Sequence, residues 1–114
     1  MKKVKHKRSL NVLLYFDDLA LFYLVRDTPP NLLARVFIRA DARVSGAMIG
    51  VMTQEQREAI HYLMAKENDD NEKLFEKAEK AIFILADDLI RKGLVRRQGQ
   101  YFFGNKLDEF GLPA

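Results

Sequence analysis

Residues 71–93, NEKLFEKAEKAIFILADDLIRKG, carry the strongest helical pattern in the chain and constrain its fold most. Apolar residues recur there at spacings of three and four, which is the pattern of an amphipathic helix; they are Leu74, Ala78, Ala81, Ile82, Leu85 and Leu89. The middle of the segment, AIFILA, is apolar on almost every side, so we predict a central helix with neighbours around it. We expect Asn71 to cap its start, Gly93 to end it and Glu79 to be exposed.

Shorter helical segments precede this helix, and a hairpin follows it. Asp17 and Asp18 can cap one helix, and Pro29 or Pro30 suits the first turn of the next, where a missing N–H does no harm. The predicted segments are residues 9–16, 17–26, 29–40, 41–52 and 53–66. Two short runs in LVRRQGQYFFG predict a hairpin. The chain is therefore predicted to be an all-α fold, a compact domain of five or six helices with a short C-terminal β-hairpin.

The clearest helix start lies at Thr53. Thr53 and Gln56 match a capping box, in which each side chain satisfies a free backbone N–H of the other residue. We expect Ala59 and Ile60 to be buried on that helix, together with Leu63 and Met64. In the segment before it, Gly46 and Gly50 lie four residues apart. They are expected to form a smooth face that another helix could approach closely.

Positive charge is concentrated at the start of the chain. Five of the 19 lysines and arginines precede residue 9, namely Lys2, Lys3, Lys5, Lys7 and Arg8. The remainder has 14 basic and 16 acidic residues, and this near balance argues against a broad phosphate-binding face. We predict a disordered basic tail at residues 1–9, which leaves open a weak contact with nucleic acid or an anionic membrane surface. Asp17 and Asp18 interrupt the first apolar run, so no transmembrane segment is expected.

The sequence offers no recognisable catalytic or cofactor-binding pattern. The chain has no cysteine, which fits a cytoplasmic protein without thiolate metal sites. His6 lies in the basic tail, and His61 is isolated on a helix flank. Adjacent acidic residues on a helix do not face each other. We therefore expect no metal ion to be bound between Asp17 and Asp18, or between the two aspartates at residues 87–88. We predict a non-enzymatic protein without a cofactor.

One alternative is a winged-helix-type DNA-binding regulator. The segment LADDLIRKGLVRRQGQYFFG combines a helix, a basic turn and an aromatic strand. In that interpretation, the hairpin would be the wing and would contact phosphate through four basic residues: Arg91, Lys92, Arg96 and Arg97. A recognition helix should carry exposed basic or amide side chains. The best-capped helix offers Gln54, Gln56 and Arg57 but also Glu55 and Glu58, whose charge opposes a phosphate backbone.

The order of these segments resembles the C-terminal domain of the bacterial flagellar motor switch protein FliG. The features that carry the resemblance include the Asp17 and Asp18 helix start, Met52 and Thr53 before a charged helix, and Gly93 at the end of a long helix. The others are Leu24, Val25 and Asp27, the segment 33–40, the triplet Lys80, Ala81 and Ile82, and the hairpin 94–104. The resemblance covers residues 10–104.

The resemblance implies an all-helical, armadillo-like domain that acts by protein contact at the cytoplasmic flagellar rotor. In this family, charged residues around one helix meet the stator. Those positions fall here on Ile38, Glu55, Tyr62, Leu63 and Asn71, and none carries the family's charge. Since charge complementarity sets partner choice, the resemblance implies a rotor-associated protein or a divergent paralogue with a changed partner and without the standard stator contact.

We therefore predict a protein-binding surface on the helix of residues 53–66. It comprises Glu55, Glu58, His61, Tyr62, Asp69 and Asp70. Tyr62 carries the most weight because an aromatic side chain among charges is a common interface anchor. The predicted organisation is a tail at residues 1–9, a FliG-C-like domain at 10–104 and a second tail at 105–114. We expect the protein in the cytoplasm, with the cytoplasmic face of the inner membrane as one site there.

Overall fold

The structure is a computed structural model, and it describes residues 9–67 and 71–110. Of the predicted tail at residues 1–9, residues 1–8 lie outside the described residues, and Ser9 caps the first helix by accepting a hydrogen bond from the Asn11 N–H. A 3₁₀ helix, Leu10–Tyr15, comes first in the described chain, and five α-helices and two strands follow it. They are α1 (Asp18–Asp27), α2 (Pro30–Phe37), α3 (Ala42–Gly50), α4 (Gln54–Lys66), α5 (Glu72–Arg91), β1 (Val95–Gln98) and β2 (Tyr101–Gly104). The predicted all-α fold with a short C-terminal hairpin is confirmed.

Helix α5 is central, as its sequence predicts. It packs against α1, α2 and β1. Its apolar stripe contributes fully buried residues, including Ile82 and Leu89, to one continuous core. The predicted neighbours on several sides are thus present, but the apolar middle of the helix is not buried throughout: Ile84 is 66% exposed and Leu85 is half-buried. Glu79, expected on the exposed face, is buried.

Both ends of α5 follow the predicted capping chemistry. The Asn71 side chain accepts a hydrogen bond from the Leu74 N–H (3.1 Å). At the other end, Gly93 adopts a φ of 79°, in the left-handed region that favours glycine. The Leu94 N–H donates to the Leu89 carbonyl (3.0 Å) and the Gly93 N–H to the Ile90 carbonyl (3.1 Å). This pair of bonds is a Schellman motif, and it satisfies carbonyls that the helix end would leave unpaired.

Asp17 joins the start of α1 to the hairpin. One of its carboxylate oxygens accepts hydrogen bonds from the Ala20 N–H (2.8 Å) and from the Gly104 N–H (2.9 Å). The Asp17 N–H itself donates to the Phe102 carbonyl (2.9 Å). The Phe16 and Phe102 rings stack with centroids 4.6 Å apart. The capping residue that the sequence identifies is therefore also the anchor of the hairpin.

The hairpin has one buried face and one exposed face. Its register pairs Gln98 with Tyr101 across a two-residue turn that begins at Gly99, whose φ is 62°. Val95 and Phe102 point into the core and are buried. The opposite face carries Arg96, Gln98, Tyr101 and Phe103, because directly paired residues lie on the same side of an antiparallel ribbon.

Helix α3 makes no close helix contact at its glycines. A Cβ atom added at Gly46 or at Gly50 would meet nothing within 4 Å. The expectation that these residues form a face for a close helix approach is therefore wrong for the described residues. Helix α3 packs through Val44 and Met48 instead, on the 3₁₀ helix and α1.

The α3 N-cap predicts a measurable pH dependence. Arg43 donates two side-chain hydrogen bonds to the Asp41 carboxylate (3.1 and 2.8 Å), and these lower the pKa of Asp41 from 3.8 to about 2. A lowered pKa means that this cap stabilises α3 above about pH 4 and is lost as the pH falls toward 2. We expect an NMR titration to give a pKa near 2 for Asp41, and Arg43→Ala to raise it toward 3.8. Arg57→Ala should leave it unchanged; an unchanged pKa in Arg43→Ala would contradict the assigned cause.

Candidate functional site

Helix α4 lies at the edge of the fold and exposes most of its surface. It begins with the predicted capping box: the Gln56 N–H donates to the Thr53 hydroxyl (3.2 Å), and the Thr53 N–H donates to the Gln56 side chain (2.8 Å). Among its residues only Ile60 is fully buried. Three further residues were expected to be buried, but Ala59 is exposed and the other two, Leu63 and Met64, are half-buried. The reason is that α4 packs mainly against one neighbour, α2, so a narrow stripe suffices to attach it.

Two side-chain contacts fix the position of α4. Near its start, the Arg57 Nε donates to the Ile49 carbonyl in α3 (3.2 Å). Just beyond its end, the Glu67 carboxylate accepts a hydrogen bond from the Arg35 Nε in α2 (3.3 Å). The helix is therefore held at both ends while its outer face stays exposed. A helix that is held in place and has an exposed outer face suits binding, because little conformational entropy is lost when a partner binds.

The structure brings three of the predicted site residues onto one face. Glu55, Glu58 and Tyr62 are spaced by three and four residues, so they align along the outer side of α4. The Tyr62 side chain is 61% exposed, and the Lys66 ammonium lies 4.3 Å from the centre of its ring. His61 is also exposed, on the flank of this face. Asp69 and Asp70 lie outside the described residues.

An apolar groove runs beside this face, between α4, the end of α1 and the start of α2. Its volume is about 220 Å³. Its apolar lining consists of Val25, Pro30, Leu33, Met52, Ala59 and Ile60. Thr28 also lines it, and its hydroxyl is already used, because it donates to the Leu24 carbonyl (2.6 Å). Sequence reasoning did not find this groove, since its lining comes from three helices whose packing no local pattern reveals.

Glu55 lies at the meeting point of the groove and the outer face of α4. Its side chain lines the apolar groove and, with Glu58, a shallow polar depression beside it. Glu58 accepts a hydrogen bond from the Gln54 side chain (3.2 Å). Within residues 9–67 and 71–110, Glu55 makes neither a hydrogen bond nor an ion pair through its carboxylate. The groove therefore has a free negative charge at its mouth.

The four basic residues of the winged-helix alternative occupy two different settings. Arg91 and Lys92, at the end of α5, both form ion pairs with Asp88 (2.6 and 2.8 Å). Hydrogen bonds from Lys92 and Arg91 hold the pKa of Asp88 below its ordinary value. Arg96 and Arg97 lie on β1. The Arg96 guanidinium lies 5.2 Å from the centre of the Phe103 ring, and the Arg97 guanidinium lies 5.5 Å from the centre of the Phe102 ring. Only the second pair belongs to the hairpin.

Neither a metal-ligating cluster nor a membrane-spanning helix occurs in the described part of the chain. Between residues 9 and 67 and between 71 and 110, no three histidine, aspartate or glutamate side chains are placed to hold a metal ion. Over the same ranges, no helix is long and apolar enough to cross a membrane. The strongest feature of the described surface is thus the groove beside α4.

The fold and this surface define the chain as a mainly helical protein in which one helix, α4, lies at the edge and has an exposed outer face. No family model, no curated protein and no solved structure matches the chain.

Proposed function

We propose that this protein is a non-enzymatic protein–protein interaction domain that binds its partner through α4 and the adjoining apolar groove. The single observation that carries the proposal is the Glu55 carboxylate at the mouth of a groove lined by apolar side chains, without a hydrogen-bond or ion-pair partner among residues 9–67 and 71–110. A partner segment that combines an apolar side chain with a lysine or arginine would fill the groove and pair with Glu55. Both contacts are of the kind that protein interfaces use at their centre and rim.

The outer face of α4 would extend this contact. Glu58 lies one turn beyond Glu55 and adds a second negative charge for a basic partner. Tyr62 continues the same face and offers a large aromatic surface, restrained by Lys66. Tyrosine is a frequent interface anchor because its ring buries much area at little cost in conformational entropy. His61 would lie at the edge of the contact.

Peptide selection tests the proposal directly. We expect random peptides selected on the wild-type protein to share an apolar residue close to a lysine or arginine. Glu55→Lys should weaken the selected peptides about tenfold or more, as expected for reversal of a charge pair. Ala59→Trp should also weaken them, because the added ring would fill the groove from an exposed position.

Glu109→Lys supplies the matched control. It makes the same charge reversal at an exposed residue outside α4, so peptide affinity should stay within about twofold of the wild-type value. Peptides without a basic residue, or peptides that bind Glu55→Lys and Ala59→Trp as tightly as the wild type, would remove α4 and the groove from consideration.

We further propose the flagellar rotor as the first place to look for the partner. The support is the resemblance to the FliG C-terminal domain between Asp17 and Gly93. The absence of the family's charges at Glu55 and Tyr62 favours a changed partner, on the rotor or in a divergent paralogue's complex, over the standard stator. The protein would then lie in the cytoplasm or at the cytoplasmic face of the inner membrane. Comparing the selected consensus with exposed segments of rotor proteins checks this narrower proposal.

A further inference from the structure

Charge in this chain is segregated by segment. Residues 89–107 contain five basic residues and no acidic one, whereas residues 9–88 contain nine basic and fourteen acidic residues. The near balance of the chain beyond its first eight residues is thus an average over an acidic helical part, the basic segment 89–107 and two acidic residues after it, Asp108 and Glu109. That segment includes the end of α5 and the whole hairpin. The hairpin is therefore the part of the described fold that best suits an anionic ligand.

The exposed face of the hairpin also carries aromatic rings. Tyr101 is 50% exposed there, and Tyr15, from the 3₁₀ helix, is 42% exposed. Their ring centroids are 5.7 Å apart with an interplanar angle of 74°. The inward side chains Val95 and Phe102 hold the hairpin on the core, so the rings stand on a fixed support. Exposed rings on a fixed ribbon can stack with planar ligands.

Arg96 is the hairpin arginine that the exposed face offers to a phosphate, since Arg97 lies on the other face, beside Phe102. Arg96 interacts with Gln98 and Arg97 with the Gly99 carbonyl, and no ion pair with a carboxylate involves either one within the described ranges. Arg91 and Lys92, by contrast, share an ion pair with the Asp88 carboxylate. The Arg96 guanidinium lies beside the Phe103 ring on the same face as Tyr101. A guanidinium group and exposed rings are therefore side by side on one surface.

We propose that the exposed face of the hairpin, together with Tyr15, binds single-stranded nucleic acid. Bases would stack on Tyr101 and Tyr15, while Arg96, on the same face, would contact a phosphate. Proteins that bind single strands combine these two elements, aromatic side chains on which bases stack and a positively charged path for the backbone. An acidic peptide would use the guanidinium charge of this face but not its aromatic rings. A double helix would keep its bases stacked on each other and therefore away from the rings. This surface is separate from the groove beside α4 and does not depend on the function proposed for it.

Fluorescence anisotropy with a labelled single strand of about 12 nucleotides tests this, using the full-length protein at about 50 mM salt. We expect measurable binding, weakened about tenfold by Tyr101→Ala and largely retained in Tyr101→Phe, which keeps the ring. Arg96→Gln should lower the slope of log affinity against log salt by about 0.7. Phe22→Ala and Arg26→Gln, an exposed ring and an exposed arginine on α1, should change neither quantity.

Three outcomes would overturn the proposal. The first is the absence of binding at this salt concentration. The second is binding that Tyr101→Ala leaves unchanged, which would assign it to the basic residues 1–8. The third is that polyglutamate, or vesicles containing phosphatidylglycerol, bind as tightly as the single strand or more tightly, and that Tyr101→Ala weakens this binding equally. Such a result would assign the face to an acidic protein or to a membrane. Circular dichroism of each variant would show whether the fold is retained, and Tyr101→Phe separates loss of stacking from loss of structure.

Discussion

Ile82→Ala is expected to lower the free energy of unfolding by about 2–5 kcal/mol. Ile82 is 0% exposed in the middle of α5, which packs against α1, α2 and β1. Truncation removes buried methyl and methylene groups and leaves a cavity that the surrounding helices fill only in part. Urea denaturation followed by circular dichroism measures the change, with an unchanged denaturant slope showing that the folded state is retained.

Ile84 gives the matched control two residues along the same helix. Its side chain is 66% exposed, so Ile84→Ala removes the same atoms from a largely solvated position. We expect a change well under about 1 kcal/mol. Equal and small effects of the two substitutions would mean that α5 is not the central helix of the fold.

Gly104→Ala is expected to be the second most damaging change, with a loss of about 2–4 kcal/mol. A Cβ atom at this position would lie 2.6 Å from the Leu19 Cγ and 2.7 Å from the Ala20 nitrogen. The Ala20 nitrogen is a backbone atom and cannot move without displacing the start of α1, so the hairpin would have to move away. The hydrogen bond from the Gly104 N–H to Asp17 would then be lost.

Gly46→Ala is the matched control for this substitution. The added methyl group would meet nothing within 4 Å, and the position lies inside α3. Alanine has a higher helix propensity than glycine, so we expect a gain of about 0.5–1 kcal/mol. Thermal unfolding of both variants checks the pair. A Gly104→Ala protein as stable as the wild type would contradict the close contact between the hairpin and α1.

The sequence predicts those elements of the fold that local chemistry determines. Asn71 and Gly93 bound α5, Thr53 caps α4, and Gly99 begins the hairpin turn, because capping and turn residues act within a few positions of their own. The burial of Glu79 and the exposure of Ile84 could not be predicted, since they depend on which neighbours α5 meets. The second role of Asp17 was also missed, because its partner Gly104 is 87 residues away.

The candidate site also has one part that local spacing predicts and one part that depends on tertiary packing. Helical spacing was enough to place Glu55, Glu58 and Tyr62 on one face, since the period of a helix is known in advance. The groove beside them needs the turn between α1 and α2 to bring Val25 and Leu33 opposite α4, and this is a tertiary feature. The two proline residues at positions 29 and 30 signal that turn but not its direction.

The resemblance to FliG rests on the order and spacing of these segments and stays a prediction. Two properties of this chain are independent of it: the unpaired Glu55 at an apolar groove, and the basic aromatic face of the hairpin with Arg96 and Tyr101. The two proposals assign an acidic binding region to the first and a basic one to the second.

The most direct measurement of the proposed function is an NMR titration of the ¹⁵N-labelled protein with a peptide selected on the wild type. The account predicts the largest amide shifts along the groove, at Thr28, Met52, Glu55 and Ala59, and unchanged signals at Tyr101 on the hairpin. The same titration of Glu55→Lys should need about tenfold more peptide to reach half-saturation. Largest shifts at the hairpin, or shifts that leave Ala59 and Met52 unchanged, would contradict the assignment of α4 and its groove as the binding surface.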